Sequence, residues 1–551
     1  MEDNMKKKHV SLLLAAAMAA SVISGCGSSA NSSTAETTKA EGAAAETTAA
    51  GETEATAEAV EDTEKNETDE VVIATPRDAV QGSGDAYYCW EGAYVWEALT
   101  ANNGGVIDPW LAKSWEHNDD CTEWTFSLRD DAYFTDGVQF NADVCLKNIE
   151  RWGHGINSTY TTLSIEKSLP NLDKMEKVDD FTVKFTFTQP ITTLEYVLSD
   201  YGSPMYSPNC FDEETGVISD YAIGTGPYKI VDHVESEYVT LERNDNYYGE
   251  NGKVKTFKIR CIPDAETRVS ALKSGEVMGL ADNGAITMDA AKNLCDTDSN
   301  FEMDSTPSHM TEYIMFNDKN EYLADKRMRE AFNLATDRDS ICSVIYGGLL
   351  QPAYSFLSTQ STFHLDIQGT YDMEKAKSLA KEVLGDKTAD MTMIIRSSTA
   401  SDYNCKAVAE YLKQVYAELG VNINIEIVDS SLYKERQKEG TYDMTLTVFG
   451  INNADPTSTF KQYFASEGNS NTTLNYNYYN EKIDELVAKA PTIADVSERS
   501  KIYDEIQQEL FDDSACVPIC YQINVNIHNK AITHYAGKTF GVGLPTISWV
   551  K

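Results

Sequence analysis

The sequence predicts an α/β protein with at least two domains, and three observations support this prediction. Residues 71–551 carry an ordinary share of apolar side chains, and about 480 residues are too many for a single hydrophobic core. Strand-like and helix-like periodicities alternate along this part of the chain. Residues 406–428 combine an amphipathic helix, a glycine and an alternating strand, which is a unit typical of α/β architecture.

Individual elements follow from alternation and from capping residues. Residues 124–128 (WTFSL) and 183–187 (VKFTF) alternate with period two and therefore predict strands. Gly420 is expected to end a helix over 406–419 and to be followed by a strand with the sequence VNINIEIV. Polar side chains placed directly before helix-like segments are expected to cap them, namely Asn141, Asp325 and Asp372.

The first 25 residues are expected to be a lipoprotein signal peptide. Three lysines precede the apolar run VSLLLAAAMAASVI, which is too short to span a bilayer comfortably as a helix. The sequence Ile23-Ser24-Gly25-Cys26 resembles a bacterial lipobox, in which the cysteine receives lipid. Cys26 is therefore expected to anchor the mature protein at the extracytoplasmic face of the cell membrane. An ordinary signal peptide or a short anchor helix is the alternative.

Residues 26–70 are expected to form a disordered acidic tether. After Cys26 they consist mainly of Ala, Glu, Thr, Ser and Gly, and they contain no aromatic residue. Such a segment cannot bury enough apolar surface to offset the entropy of ordering. An acidic interaction tail is the alternative interpretation of the same composition.

Charge and cysteine content exclude several classes of protein. The chain has 46 Lys and Arg against 87 Asp and Glu, a net charge of −41, which disfavours nucleic acid and anionic lipid as partners. The 11 cysteines are scattered and form no CxxC pair. Cys516 and Cys520 lie in an apparent strand, and buried free thiols are expected there rather than disulfides.

Sequence motifs of catalysis are missing from the chain. The histidines form no HExxH or other paired spacing for zinc, and no GxSxG elbow is present. The segment Gly224-Thr225-Gly226-Pro227 is not a phosphate loop, because Pro227 lacks an amide donor. We therefore expect no catalytic residue, no metal and no cofactor. A glycosidase with two carboxylates is the enzyme alternative that the sequence leaves open.

Several stretches, taken together and in order, resemble the family-five extracellular solute-binding proteins of ABC importers, which bind dipeptides, oligopeptides or nickel. The resemblance covers nearly all of residues 71–551. The stretches that carry it are LAKSWEHNDDCTEWTFSLRDDAYFTDGVQFNADVCLKNIERW (111–152), GTGPYKI (224–230), ERNDNYYG (242–249), IPDAETRVSALKSGEVM (262–278), RMREAFNLATDRDSI (327–341), YDMEKAKSLAKEVLG (371–385), YDMTLTVFGINNADPTSTF (442–460) and PICYQ (518–522).

The resemblance implies a two-lobe α/β clamshell of the periplasmic-binding-protein type, class II-like and of the large cluster C type. Lobe one would comprise residues 71–261 and 522–551, and lobe two residues 262–521. Crossings near 258–262 and 519–523 would form the hinge. Such a protein closes on its solute and delivers it to a permease served by an ATPase, so it needs no catalysis.

The resemblance also points to ligand-binding residues. Peptide-binding members pair the ligand α-amine with an aspartate in the segment matched by FGINNADP, where this chain has Asn452. Nickel-binding members place an aromatic side chain on the chelate, and Phe449 matches it. A small peptide is the first expected ligand, and a nickel chelate or another small cationic solute is the alternative. Asp455 has a second interpretation, as a cap of the following helix. The candidate ligand-binding residues are Phe449, Asn452, Asn453, Asp455, Tyr88 and Trp90.

Overall fold

A computed structural model describes most of the chain beyond the expected tether. The described residues are 70–78, 94–103, 106–153, 156–157, 162–199, 203–282, 284–450, 455–537 and 541–550. Cys26 and the segments 1–25 and 26–69 lie outside them. Within the described residues, no helix has both the length and the apolar character needed to cross a membrane.

Short strands are found along the whole described chain. They are β1 (Glu70–Thr75), β2 (Thr100–Asn103), β3 (Val106–Pro109), β4 (Ala112–His117), β5 (Glu123–Leu128), β6 (Ile156–Asn157), β7 (Thr162–Leu163), β8 (Leu172–Asp179), β9 (Thr182–Phe187), β10 (Tyr228–Val234), β11 (Tyr238–Arg243), β12 (Thr256–Cys261), β13 (Gly279–Leu280), β14 (Phe301–Phe316), β15 (Gln351–Pro352), β16 (Ala389–Arg396), β17 (Val421–Val428), β18 (Met444–Gly450), β19 (Cys516–Asn529), β20 (Ile532–Thr533) and β21 (Ser548–Trp549).

Helices alternate with these strands, most densely in the second half of the chain. They are α1 (Ala142–Trp152), α2 (Ile165–Ser168), α3 (Leu194–Val197), α4 (Ala265–Ser274), α5 (Met288–Thr297), α6 (Lys326–Ala335), α7 (Arg338–Ser340), α8 (Met373–Leu384), α9 (Ser397–Asp402), α10 (Cys405–Ala417), α11 (Ser430–Glu439), α12 (Thr457–Phe464), α13 (Asn469–Thr472), α14 (Glu481–Lys489) and α15 (Val496–Asp512), and a π-helix (Ile341–Ile345) follows α7.

One mixed sheet connects the two halves of the molecule. Its strand order is β10-β11-β12-β1-β13-β19-β14-β18-β16-β17, and β15 pairs with β19. The antiparallel strands β14 and β19 belong to both halves, and they have 16 and 14 residues. Their pairing register shifts between Pro307 and Thr311, which lie opposite Ile523 and Tyr521. An irregularity of this kind bends a strand, so the two halves meet there.

Lobe one contains a second, antiparallel sheet of order β4-β5-β9-β8. Residues 124–128 and 183–187, predicted as strands, lie in β5 and β9 and pair with each other. Trp124 and Phe185 are buried in a core that also holds Trp152 of α1. Burial of these large rings joins α1 to the sheet.

Lobe two is built on β14, β18, β16 and β17, with the first part of β19 beside them. Consecutive residues of β14 point to opposite faces of this sheet. Ile314 and Phe316 belong to a core formed with α6, α8 and α10, whereas Tyr313 and Met315 belong to a second core formed with α12, α14 and α15. The lobe-two sheet is therefore covered on both faces, as expected for α/β architecture.

The predicted helix caps are confirmed. The Asn141 side chain accepts a hydrogen bond from the backbone N–H of Val144, and Asp325 and Asp372 cap α6 and α8 in the same way. Gly420 has a φ of +83°, the left-handed conformation that favours glycine, and the predicted strand VNINIEIV follows it as β17.

Residues 262–301 were expected to begin lobe two, but they pack on lobe one. Their helices α4 and α5 and their strand β13 pack on lobe one, because Leu272 and Leu294 share a core with Ala74 of β1. Leu280 of β13 also pairs with Ala74 in the sheet. We therefore assign this segment to lobe one and place the start of lobe two at the register shift in β14.

Thiols are buried where the sequence predicted them. Cys516 and Cys520 lie on β19 as free, buried thiols, and Cys145 and Cys405 are likewise free and buried in the cores. Burial raises the pKa of the Cys145 and Cys516 thiols to about 12. These thiols are neutral at physiological pH and behave as small apolar side chains.

Candidate functional site

Strands β16, β17 and β18 end at one edge of the lobe-two sheet. β16 runs parallel to both others, so their carboxyl ends, at Arg396, Val428 and Gly450, lie on the same side. β14 enters lobe two at this edge, because Met310 pairs with Gly450. Ligands of open α/β sheets bind in the crevice outside the carboxyl ends of the strands. We call this candidate site the carboxyl edge.

The segment after β16 shows that the carboxyl edge faces lobe one. Asn404, between α9 and α10, donates from Nδ2 to the Asp289 carboxylate of lobe one over 3.1 Å. The neighbouring Met288 packs against a core of lobe two. A Cβ atom on Gly284 would lie 3.6 Å from an Asp402 carboxylate oxygen. The two lobes therefore touch directly beside the carboxyl edge.

A second contact between the lobes lies near the start of α15. Ala494 packs against the core of the small lobe-one sheet. Glu195 of lobe one is close enough to Arg499 and Asp455 of lobe two for their charges to act on it. Burial raises the pKa of Glu195 to about 7, against the opposing influence of Arg499. Its Oε2 atom is buried and finds no hydrogen-bond partner within the described residues.

Phe449 forms an aromatic stack at the carboxyl edge. Its ring lies 4.4 Å from the Tyr463 ring, with an angle of 8° between their planes. Tyr313 stacks on the same side chain at 4.6 Å and 24°. Phe449 is half-buried, as is Tyr463, and burial raises the pKa of Tyr463 to about 12. We call Phe449 and Tyr463 the aromatic platform, a neutral and largely apolar surface next to the end of β18.

Asp455 is held in a buried network of lobe two. Its carboxylate accepts hydrogen bonds from Arg499 Nε at 2.9 Å, from the Tyr503 hydroxyl at 2.8 Å and from the Thr457 backbone N–H at 2.9 Å. The bond from Thr457 caps the start of α12. These contacts agree with the capping alternative for Asp455, and its ligand-binding role stays a prediction.

The other candidate ligand-binding residues lie outside the described part of the chain. Asn452 and Asn453 fall in the segment 451–454, and Tyr88 and Trp90 fall in 79–93. Of the candidate ligand-binding residues from the sequence, the structure describes Phe449 and Asp455 and brings both to the carboxyl-edge side of lobe two.

Arg396 is the residue of the carboxyl edge that the sequence analysis did not single out. It is the last residue of β16 and is half-buried, and its Cζ atom lies 5.1 Å from the centre of the Tyr433 ring. Its Nε atom is buried and has no hydrogen-bond partner among the described residues. The sequence signal that could have identified Arg396 is the largely apolar run MTMII, which is followed by this arginine and then by a helix. This pattern places a cation at the end of a strand.

Glu97 and Glu312 are two fully buried carboxylates of the described residues. No group of three or more His, Cys, Asp or Glu side chains in the described ranges is arranged to hold a metal ion. Glu97 is fully buried, and its carboxylate accepts hydrogen bonds from Thr225, Tyr247 and Tyr248. Glu312 is also fully buried, and burial raises its pKa. Both carboxylates are enclosed in the interior of the protein.

Solved structures share this fold. DppA from Helicobacter pylori, in complex with the peptide STSA, is 22% identical, and the match covers 88% of this chain and 98% of that chain with a TM-score of 0.69. NikA from Brucella suis, in complex with Fe(III)-EDTA, is 20% identical, and the match covers 88% and 100% with a TM-score of 0.76. Two lobes that meet beside the carboxyl edge define the class of this fold, which is that of the two-lobe periplasmic binding proteins.

The sequence itself identifies the family. Residues 106–471 match the profile of the bacterial extracellular solute-binding proteins, family 5. This is more than half of the chain, so the protein belongs to that family, as the sequence motifs predicted. The glutathione-binding protein GsiB of Escherichia coli (strain K12) is 26% identical over 433 residues, which cover 77% of this chain and 82% of GsiB.

Proposed function

We propose that this protein captures small peptides outside the cytoplasm by closing its lobes, and that it delivers them to an ABC permease served by an ATPase. The carboxyl edge of lobe two, which faces lobe one, is the observation that supports this proposal. A solute that touches both lobes only in the closed form shifts the open-closed equilibrium by its differential affinity. No covalent step is required of this chain.

Small peptides are the first proposed solutes because of the relatives and the site. DppA from Helicobacter pylori is described in complex with a peptide, and GsiB is a glutathione-binding protein. The aromatic platform offers apolar surface at the carboxyl edge, beside the end of β18, where a short peptide can lie. Asn452, Asn453, Tyr88 and Trp90 are proposed to complete the site.

A metal chelate is the second candidate, and the aromatic platform favours it. The ring of Phe449 is partly exposed and nearly parallel to Tyr463. A flat chelate can stack on such a surface without any protein ligand to the metal. NikA from Brucella suis, which shares the fold, is described with an iron chelate. Nickel–histidine is therefore included as a test solute.

Lipid attachment at Cys26 is proposed to hold the protein beside its permease. The acidic segment 26–70 would act as a tether of roughly 35–40 Å if it behaves as a flexible coil. Replacement of the attachment residue, C26S, should release the protein from the extracytoplasmic face of the membrane in a fractionation experiment. Retention of the C26S variant on the membrane would contradict the anchor.

Binding is tested with a defined panel of solutes. Thermal melting and isothermal titration calorimetry are recorded with trialanine, reduced glutathione and nickel–histidine, together with mass spectrometry of any solute carried through purification. Binding of a peptide supports the proposal, and binding of nickel–histidine alone supports the second candidate. A flat response to every member, with no co-purified small molecule, contradicts capture of these solutes.

A further inference from the structure

Glu195 of α3 lies where the small sheet of lobe one meets lobe two. On the lobe-two side, Ala494 packs against the core that contains Leu194, the residue directly before Glu195. The charges of Arg499 and Asp455, which also belong to lobe two, act on the Glu195 carboxylate. The surroundings of this carboxylate therefore depend on whether the two lobes are together.

The Glu195 carboxylate is poorly solvated in this position. Its Oε2 atom is buried and has no hydrogen-bond partner among the described residues. A charged oxygen that has lost water and gained no donor is costly, whereas a neutral carboxyl group costs much less to bury. Burial accordingly raises the pKa of Glu195 to about 7.

Arg499 attracts the Glu195 carboxylate, but its own hydrogen bonds are made within lobe two. Its Nε donates to Asp455 over 2.9 Å, and its Nη1 donates to the Ile493 carbonyl over 2.7 Å. The Arg499 Nη2 atom is buried without a partner in the described residues, as is Glu195 Oε2, so no hydrogen bond joins these two atoms. Asp455 brings a second negative charge, which opposes ionisation of Glu195.

The other titratable groups that act on Glu195 or feel its charge belong to lobe one. They are His117 of β4, Cys121 in the loop that follows β4, and Tyr196 of α3. Burial raises the pKa of the Cys121 thiol and of the Tyr196 hydroxyl, so both are neutral near pH 7. All three move with Glu195 as parts of one lobe. A change on closure therefore comes from lobe two and from the loss of water.

We propose that closure of the lobes takes up a proton at Glu195, so that the protein holds its solute more tightly in mildly acidic surroundings than in alkaline ones. This inference rests on the proposed function, because it needs a solute that closes the lobes. When the lobes separate, Glu195 loses its contacts with lobe two and returns to water. Proton binding and solute binding then favour the same closed form, and each strengthens the other.

Proton uptake at Glu195 should affect solute binding over a defined range of pH. In the open form the carboxyl group titrates near its ordinary pKa of 4.5, and in the closed form near 7. The contribution to solute binding is therefore complete below about pH 4.5 and is lost as pH rises through 7. Between pH 8 and pH 6, affinity should rise about 3- to 10-fold from this group alone.

The test compares solute binding at two pH values in matched variants. Titration calorimetry at pH 6 and pH 8 uses trialanine, reduced glutathione and nickel–histidine with wild type, E195Q, E195A and E150Q. The first two variants remove the titratable group, and E150Q is the control because Glu150 is exposed on α1 of the same lobe. Ionisation of the solute itself is the same for every variant, so it cancels in the comparison. Circular dichroism and thermal melting establish that each variant is folded.

The expected result is a pH dependence that disappears with the carboxyl group. The ratio of Kd at pH 8 to Kd at pH 6 should be about 3- to 10-fold larger for wild type and E150Q than for E195Q and E195A. At pH 8, E195Q should bind more tightly than wild type, because its amide is neutral at every pH. At pH 7, titrations in two buffers of different ionisation enthalpy should show that wild type takes up about half a proton more than E195Q.

Three other outcomes overturn the inference, and they are distinguishable. If the Kd ratio and the proton uptake are the same in wild type and E195Q, Glu195 does not couple closure to pH, although solute binding stands. If wild type loses affinity relative to E195Q as pH falls, the carboxylate is held ionised by Arg499, and the proposed sign is wrong. If wild type binds no member of the panel at either pH, the proposed function fails, and the inference fails with it.

Discussion

Arg499 and Arg396 lie on the same lobe and are held in opposite ways. Arg499 is fully buried, and it donates from Nε to Asp455 over 2.9 Å and from Nη1 to the Ile493 carbonyl over 2.7 Å. Arg396 rests on a tyrosine ring and has no acceptor within the described residues. A buried charge that has lost its partner is strongly destabilising, so the two arginines should differ in how much their surroundings contribute to stability.

Removal of the Asp455 carboxylate is expected to give the largest effect. D455A leaves Arg499 buried without its counter-ion and removes the cap of α12, so it should lower the free energy of unfolding by about 3–5 kcal/mol. Urea unfolding followed by circular dichroism measures the change.

The matched control for D455A is D131A. Asp131 is exposed and pairs with Arg129 on the surface, so its loss should cost less than about 1 kcal/mol. If D455A lowers the free energy of unfolding as little as D131A does, the buried network does not have this structural role.

Truncation of the aromatic platform should have the next largest effect. F449A removes the ring on which both Tyr463 and Tyr313 stack. Because the space left by the ring is open to solvent on one side, the free energy of unfolding should fall by about 2 kcal/mol. F449L keeps most of the buried apolar area and should cost less than half as much. Equal losses in both variants would show that ring stacking, and not apolar burial, is the main contribution.

Glu195 predicts a dependence of stability on pH at the second contact between the lobes. Burial raises its pKa to about 7, above the ordinary value of 4.5, so the folded protein binds the proton more tightly than the unfolded chain does. Its contribution to stability is therefore complete below about pH 4.5 and is lost as pH rises through 7.

The variant E195Q isolates this dependence. It cannot ionise, so it should melt at a higher temperature than wild type at pH 8 and at a similar temperature at pH 4.5. Titratable or charged groups near Glu195 are His117, Cys121, Tyr196, Asp455 and Arg499, and all of them remain in E195Q. An identical difference at both pH values would contradict a raised pKa at this position.

Replacement of Arg396 should have the smallest effect on stability. R396M removes a guanidinium that has no described acceptor and keeps an unbranched side chain against Tyr433, so the free energy of unfolding should stay within about 0.5 kcal/mol of wild type or rise. A loss above about 2 kcal/mol would contradict the comparison between the two arginines, because it would reveal a structural partner for Arg396.

Local structure was predictable from the sequence because its causes are local. Asn141, Asp325 and Asp372 cap helices through bonds to residues two or three positions away, and Gly420 ends a helix through its own backbone conformation. The alternation in residues 124–128 and 183–187 reflects burial on one face of each strand. Each of these signals depends on a few neighbouring residues.

The division between lobes and the binding residues depend on contacts between distant segments. Segment 262–301 belongs to lobe one through pairing with β1 and β19, which periodicity does not reveal. The contacts of Asp455 with Arg499 and Tyr503, which lie more than 40 positions away, likewise do not follow from local sequence patterns. Arg396 has no hydrogen-bond acceptor among the described residues, and this too depends on which distant segments pack around it.

Small-angle X-ray scattering tests the central claim most directly, which is that a bound solute closes the two lobes. Wild-type protein is measured alone and with a saturating amount of the panel solute that binds most tightly. The account predicts a smaller radius of gyration and a shorter maximum dimension for the protein with solute than for the protein alone. Identical scattering of wild type with and without a bound solute would contradict it.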